Sequence, residues 1–246
     1  MRLIVPFLLC SILLLPSAVF SRGNTKIETY QQAKKVLYQV IYRDHRITFY
    51  CNFPFEKNRF VRLPDGFIVP RHPDRANRVE TEHVVPVENF GKAFPEWREG
   101  HEQCVADGRP FKGRKCVELV NEEFRRMESD LHNLYPSVGV VNAMRGNKNF
   151  QMFGPSAALP FGPTCPMRME NRSVEPPKEA RGPIARTYLY MEATYQNYHM
   201  SSQQRRLMEA WDREYPPTEW ECERARRIRK VQGNGNSFVE DKCPKE

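Results

Sequence analysis

A mixed α+β fold, rich in helix, poor in long strands and organised as a single domain, is what the sequence predicts. Three observations carry this. The chain has 246 residues, which at roughly 150 residues per domain is one large domain or two small ones, and it shows no internal repeat or low-complexity tract. Its periodic segments are mostly helical in spacing. Its candidate strands are short and alternate with irregular stretches, some dense in Pro and Gly.

Each element has its own signal. Thr29 to Tyr42 carries apolar residues at Ala33, Val36, Leu37, Val40 and Ile41, with Lys34 and Lys35 facing water, which predicts a helix. Residues 47–50 predict a short strand, and 53–74, dense in Pro, aromatic and basic residues, an irregular stretch. Residues 79–90 alternate less clearly, with Val84-Val85-Pro86 reading as a strand end or turn. Val117 to Leu134 predicts a helix with a buried stripe of Leu119, Val120, Phe124, Met127 and Leu131. Residues 154–183 have no period. Three helices are then expected over roughly 184–195, 202–214 and 218–232, the second and third introduced by Ser or Thr caps.

Composition excludes a transporter or channel: apolar residues make up 40% and charged residues 28%, with a mean hydropathy of −0.67, too polar for a polytopic membrane protein. A formal charge of +8 favours an anionic partner such as nucleic acid, anionic glycan or acidic lipid.

Arg2 followed by an uncharged apolar run from Leu3 to Pro16, then Ser17-Ala18-Val19-Phe20-Ser21, reads as a secretory signal over residues 1–21. The run is short for a membrane span, which needs about 20 residues. Removing it takes away Arg2 and no acid, so the basic excess persists. Cys10 leaves with the signal. Cys51, Cys104, Cys116, Cys165, Cys222 and Cys243 remain, an even set that suggests three disulfides in an exported chain. Cys104 and Cys116 flank a loop with Gly108, Pro110 and Gly113 and could close it locally. The other four must reach across the fold. No Cys-x-x-Cys or finger-spaced Cys/His set favours zinc, and no His-Glu-x-x-His favours a metallopeptidase.

Chemistry concentrates in two places. Glu82 and His83 adjoin in Thr81-Glu82-His83-Val84-Val85-Pro86. On an extended segment they point to opposite sides, so they could serve different atoms of one site. Glu128, Asp130, His132, Asn133, Asn142 and Asn147 crowd a second tract with groups able to ligate a hard metal. By spacing alone, the first pair also reads as surface decoration and Asp-Leu-His-Asn as a helix end whose side chains bond the backbone.

Glu-His-Val-Val-Pro at 82–86 with Asn-Phe-Gly at 89–91, Phe-Arg-Arg-Met-Glu-Ser-Asp-Leu-His-Asn-Leu-Tyr-Pro at 124–136, and Gly-Val-Val-Asn at 139–142 resemble the endonuclease I family, the secreted and periplasmic DNA/RNA nucleases of Gram-negative bacteria. The resemblance continues through residues 181–191, Trp211-Asp212, Glu-Trp-Glu-Cys at 219–222 and Gln-Gly-Asn-Gly-Asn-Ser-Phe-Val at 232–239, and so covers nearly all of 22–246 in order.

The resemblance implies a ββα-metal (His-Me finger) fold, in which two strands and a helix present one His and one divalent cation to a scissile phosphate. By position, Glu82 and Asn142 match the family's metal ligands, His83 its general base and Arg114 its phosphate-stabilising arginine, while Glu128 orients an active-site side chain such as His83. The implied cofactor is Mg²⁺, with Ca²⁺ or Mn²⁺ as substitutes, since carboxylate and amide oxygens suit hard cations. DNA and RNA are the implied substrates, held by their phosphate backbones. The implied protein is a periplasmic or secreted monomer, with no membrane attachment after signal removal. Departures occur at Thr81, Val140 and Ala143-Met144, where relatives often carry Trp, Glu and Gly-Asp. Cysteines that some relatives hold two residues beyond Cys51 and in the following loop are both absent, and the resemblance then favours Cys104–Cys116, Cys51–Cys165 and Cys222–Cys243. A catalytically inactive nucleic-acid-binding protein of the same fold is the alternative. It would be expected to have lost Glu82, His83 or Asn142, and all three are present.

Overall fold

The computed structural model describes residues 23–245, and the leader assigned to 1–21 lies outside them. The elements in chain order are α1 (Tyr30–Val36) running into a π-helical turn (Leu37–Ile41), β1 (Val79–His83), α2 (Val87–Gly91), α3 (Pro95–Arg98), a ribbon of β2 (Val105–Ala106) and β3 (Arg109–Pro110), α4 (Arg114–Val120), α5 (Glu122–Glu128), β4 (Leu134–Val138) and α6 (Gly139–Arg145). The second half holds β5 (Asn149–Phe150), β6 (Arg168–Glu170), β7 (Ser173–Glu175), α7 (Lys178–Thr194), α8 (Ser202–Glu214), α9 (Glu219–Gln232) and α10 (Ser237–Glu240). The mixture of helices with small sheets agrees with the expected α+β class.

Thr29 opens α1 by accepting from the Gln32 amide, and Ala33, Leu37 and Ile41 turn inward. The π turn carries one more residue per hydrogen-bonded ring than an α turn and so rotates the chain beyond it. Val40, expected on the buried face, is 39% exposed. Residues 47–50 do not form the expected strand. Ile47 makes only an isolated bridge to Pro54, and the chain turns at Thr48, whose carbonyl accepts from Asn52 N.

The largest correction falls on 117–134, which is not one helix. Asn121 leaves helical space at φ −116°, ψ 111°, and serves as both the end of α4 and the N-cap of α5. Its side chain accepts from Phe124 N at 3.0 Å, the local bond that makes Asn a better cap than helix interior. The break turns Leu119 outward, 55% exposed, whereas Phe124, Met127 and Leu131 are buried as expected. Asp130 then caps a 3₁₀ turn at Leu131–Asn133, and the next residues extend as β4.

β1 and β4 pair antiparallel, with Glu82 opposite Tyr135 and His83 opposite Leu134. β4 runs straight into α6 through Gly139. A Cβ there would sit 2.5 Å from the Arg75 carbonyl oxygen, so only glycine lets α6 start this close to the 3₁₀ turn (Pro73–Arg75) that precedes β1. The C-terminal helices α8 and α9 match their expected bounds, capped by Ser201 and Thr218. α7 begins at Lys178, six residues before the expected start, because its second turn accommodates Pro183. Arg186, fully buried on α7, joins the three: it donates to both oxygens of Glu221 at 2.6 Å, to Asp212 at 3.2 Å and to the Tyr215 carbonyl at 2.7 Å. The disulfides are Cys51–Cys165, Cys104–Cys116 and Cys222–Cys243, the pairing the resemblance favours.

His132 sits in the core with Nε2 3.3 Å from the Asn234 carbonyl. Burial pushes its pKa down to about 4, against the opposing charge of Asp130. A histidine held neutral by folding contributes stability above its unfolded pKa of about 6.5, and loses it as pH falls through the folded value. The thermal midpoint of the native protein, relative to that of His132→Gln, is therefore expected to fall between about pH 6.5 and 4. Parallel acid profiles for the two proteins would show that His132 carries no such linkage.

Candidate active site

β1 ends at His83, and Glu82 and His83 line one cavity of about 520 Å³ despite being neighbours on a strand. Asn142 reaches the same cavity from α6, Arg114 from the first turn of α4, and Tyr30 and Lys34 from α1. Sequence-predicted Glu82, His83, Arg114 and Asn142 thus come together. Glu128 does not line the cavity. It is buried behind Arg114.

His83 lies 8% exposed, its ring 5.0 Å from that of Tyr30. Nε2 is 2.9 Å from the backbone carbonyl of Glu128. A carbonyl can only accept, so Nε2 carries the proton and Nδ1 keeps its lone pair. Burial, reinforced by the positive charge of Arg114, lowers the pKa of His83 to about 3, which keeps the ring neutral throughout the physiological range. Glu128 therefore does touch His83, through its main chain. Its carboxylate faces Arg114, whose Nε lies 2.5 Å from Glu128 Oε1 while donating to Glu118 Oε1 at 2.8 Å. Burial raises the Glu128 pKa against the pull of this arginine.

Glu82 is buried, and both donors to it, Tyr50 Oη at 2.8 Å and Arg145 Nη1 at 2.8 Å, use Oε1. Burial raises its pKa, and Arg145 opposes the rise. Asn142 donates through Nδ2 to Glu80 Oε2 at 3.0 Å, and Glu80 is further held by Arg75 and Arg78. Glu82 Oε2 and Asn142 Oδ1 take no part in these bonds. Among the described residues no three His, Cys, Asp or Glu side chains converge as a metal cluster. The donor set that remains, one carboxylate and one amide oxygen beside an open cavity, fits a hard cation that keeps most of its waters.

Arg145 is the residue that sequence reasoning missed. It is fully buried on α6, and besides Glu82 it donates to the carbonyls of His83 at 2.7 Å and Val84 at 2.6 Å, with its guanidinium 4.7 Å from the Phe150 ring. Its position three residues after Asn142, on the same helix face, was the available signal. Asn133 clamps the other side of this segment, accepting from Val85 N at 2.7 Å and donating to its carbonyl at 3.0 Å.

The Endonuclease I family model matches residues 26–243, and the chain belongs to that family. An extracellular deoxyribonuclease of Aeromonas hydrophila is 40% identical over 245 residues, spanning 97% of this chain and 98% of that protein. A periplasmic deoxyribonuclease of the same organism is 40% identical over 223 residues, spanning 88% and 87%. Endonuclease-1 of Buchnera aphidicola subsp. Acyrthosiphon pisum is 36% identical over 226 residues, spanning 89% and 84%. The words extracellular and periplasmic in these names agree with the exported location expected from the leader.

Proposed function

We propose that the protein is an exported, divalent-metal-dependent endonuclease that hydrolyses phosphodiester bonds of DNA, and of RNA, with little regard to base sequence. The observation that carries this is His83: a buried, neutral imidazole whose proton is fixed on Nε2 by the Glu128 carbonyl, set beside Glu82 and Arg114 in one cavity. The order β1, β4, α6, with Glu82 and His83 on the strand and Asn142 on the helix, supports reading them as a ββα-metal motif. The continuous buried core supports reading 22–246 as one nuclease domain, acting as a monomer after removal of 1–21.

In this reading Nδ1 of His83 accepts the proton of the attacking water. A phosphate in the cavity brings negative charge beside the imidazole and offsets that of Arg114, so proton acceptance becomes easier once substrate is bound. Arg114 makes a charge-assisted contact that strengthens as the phosphate gains negative charge. Glu82 and Asn142 would hold Mg²⁺, which supplies Lewis-acid stabilisation of charge on the phosphate and the departing oxygen. Lys34, Arg59 and Arg78 at the rim attract the backbone of any sequence.

The deciding experiment is digestion of plasmid DNA and of RNA by the oxidised protein, with Mg²⁺ and with EDTA. Cleavage that needs the metal and yields a smear is expected. No cleavage, or a few discrete fragments set by one short sequence, contradicts the proposal. Glu82→Ala and Asn142→Ala are each expected to raise the Mg²⁺ concentration needed for half-maximal rate. If that concentration is unchanged in both, the ligand assignment is wrong.

A further inference from the structure

A second furrow of about 760 Å³ adjoins the cavity, and Lys34, Asn58 and Arg59 line both. The two spaces differ in charge. Glu80 and Glu82 line the cavity, whereas the furrow is lined by Lys34, Lys35, Arg43, Arg46, Lys57 and Arg59 and by no acid. One wall is a helical stripe: Gln31, Lys34, Lys35, Tyr38 and Gln39 follow the spacing i, i+3, i+4, i+7, i+8, the face opposite buried Ala33, Leu37 and Ile41. Among the described residues the side chains of Lys35, Arg46 and Lys57 have no carboxylate partner. Cations without a carboxylate partner can bind a polyanion with release of its counterions.

We propose that this furrow is an extended binding site for the phosphate backbone of the substrate nucleic acid, beyond the scissile phosphate. The inference rests on the nuclease reading for what occupies the cavity, and the furrow adds the substrate's length. From Gln31 to Gln39 the stripe runs about 12 Å at 1.5 Å per residue. At about 3.4 Å per nucleotide of one B-form strand, it passes three or four phosphates. Arg59 lies 5.2 Å from the Tyr38 ring and Lys34 4.8 Å from the Tyr30 ring, so two of the cations are held along the wall by aromatic faces. A helix that exposed these cations only for solubility would have no reason to present them to a furrow continuous with the cavity.

The test uses the full mature protein and its K35A/R46A/K57A variant, all three residues lying outside the cavity. Cleavage is measured on hairpin duplexes with stems of about 8 and about 20 base pairs, and binding to the long stem is measured in EDTA as a function of salt. The native protein is expected to show a KM at least about tenfold lower for the long stem, and the variant to lose most of that gain with kcat changed by less than about twofold. The slope of log affinity against log salt is expected to fall by about 2 to 3, near 0.9 for each phosphate no longer neutralised. An unchanged slope and an unchanged length dependence overturn the proposal. An unchanged DNA slope with weakened binding to heparin also overturns it and assigns the furrow to sulfated glycan. If the native protein cuts neither stem, the nuclease reading fails, and the salt slope in EDTA still decides the furrow.

Discussion

Replacing His83 by alanine is expected to lower the rate of DNA cleavage by a factor of about 10² to 10⁴ while duplex affinity stays nearly constant. The asymmetry comes from where each interaction acts. In the proposed mechanism affinity comes from cations around the cavity, whereas the imidazole would act only while a proton is moving. His83 is also neutral at rest, since burial and Arg114 hold its pKa near 3. The pH profile of kcat/KM, which reports the free enzyme, should therefore lack an acid limb centred on the ordinary histidine value of about 6.5. An alanine variant retaining more than about a tenth of the native rate removes His83 from the role of base, and an acid limb near 6.5 shows the ring to be hydrated rather than buried.

The second large effect is on stability. Arg145→Met is expected to destabilise the protein by about 3 to 5 kcal/mol, the cost of leaving a buried charge without its partner. Arg145 has no exposure and Glu82 almost none, so water cannot replace the bonds to Glu82, the His83 carbonyl and the Val84 carbonyl. At roughly 2 to 4 °C per kcal/mol for a chain of this size, the thermal midpoint should fall by on the order of 10 °C. Adding Glu82→Gln to Arg145→Met should recover part of the loss, because the uncompensated carboxylate is then gone. A midpoint within about 2 °C of native for the single variant, or no recovery in the double, shows that the pair is not coupled.

Glu82 and His83 stood out in the sequence as an adjoining acid and histidine, whereas Arg114 and the ligand role of Asn142 entered only through the family resemblance; the structure places all four around one cavity. Arg145 was harder to read: its place one turn after Asn142 is the sole local pointer, an arginine on a helix otherwise reads as a solvated charge, and Glu82, which faces it, lies sixty-three residues away. The helices α8 and α9 were readable from cap to end, since Ser201 and Thr218 mark their starts and the apolar period is unbroken. Residues 117–134 misled for a specific reason. The apolar positions keep helical spacing across Asn121 and into Leu131, and only the competition between the Asn121 side chain and the backbone ends the helix. Leu134–Val138 was hidden the same way, because Leu134 completes a helical stripe and also opens a strand that its pairing with β1 decides.

The group that fixes the His83 proton is a peptide carbonyl, and this bears on how the site tolerates genetic change. A side-chain orienter would disappear with one codon change. Every amino acid at position 128 supplies the same carbonyl, so the tautomer survives substitution provided the end of α5 stays where it is. The vulnerable positions move elsewhere, to those that set the backbone: Asn121, whose cap starts α5, and Asp130, which starts the turn after it. A scan for loss of activity would score these as structural and find no side chain whose loss frees the His83 tautomer.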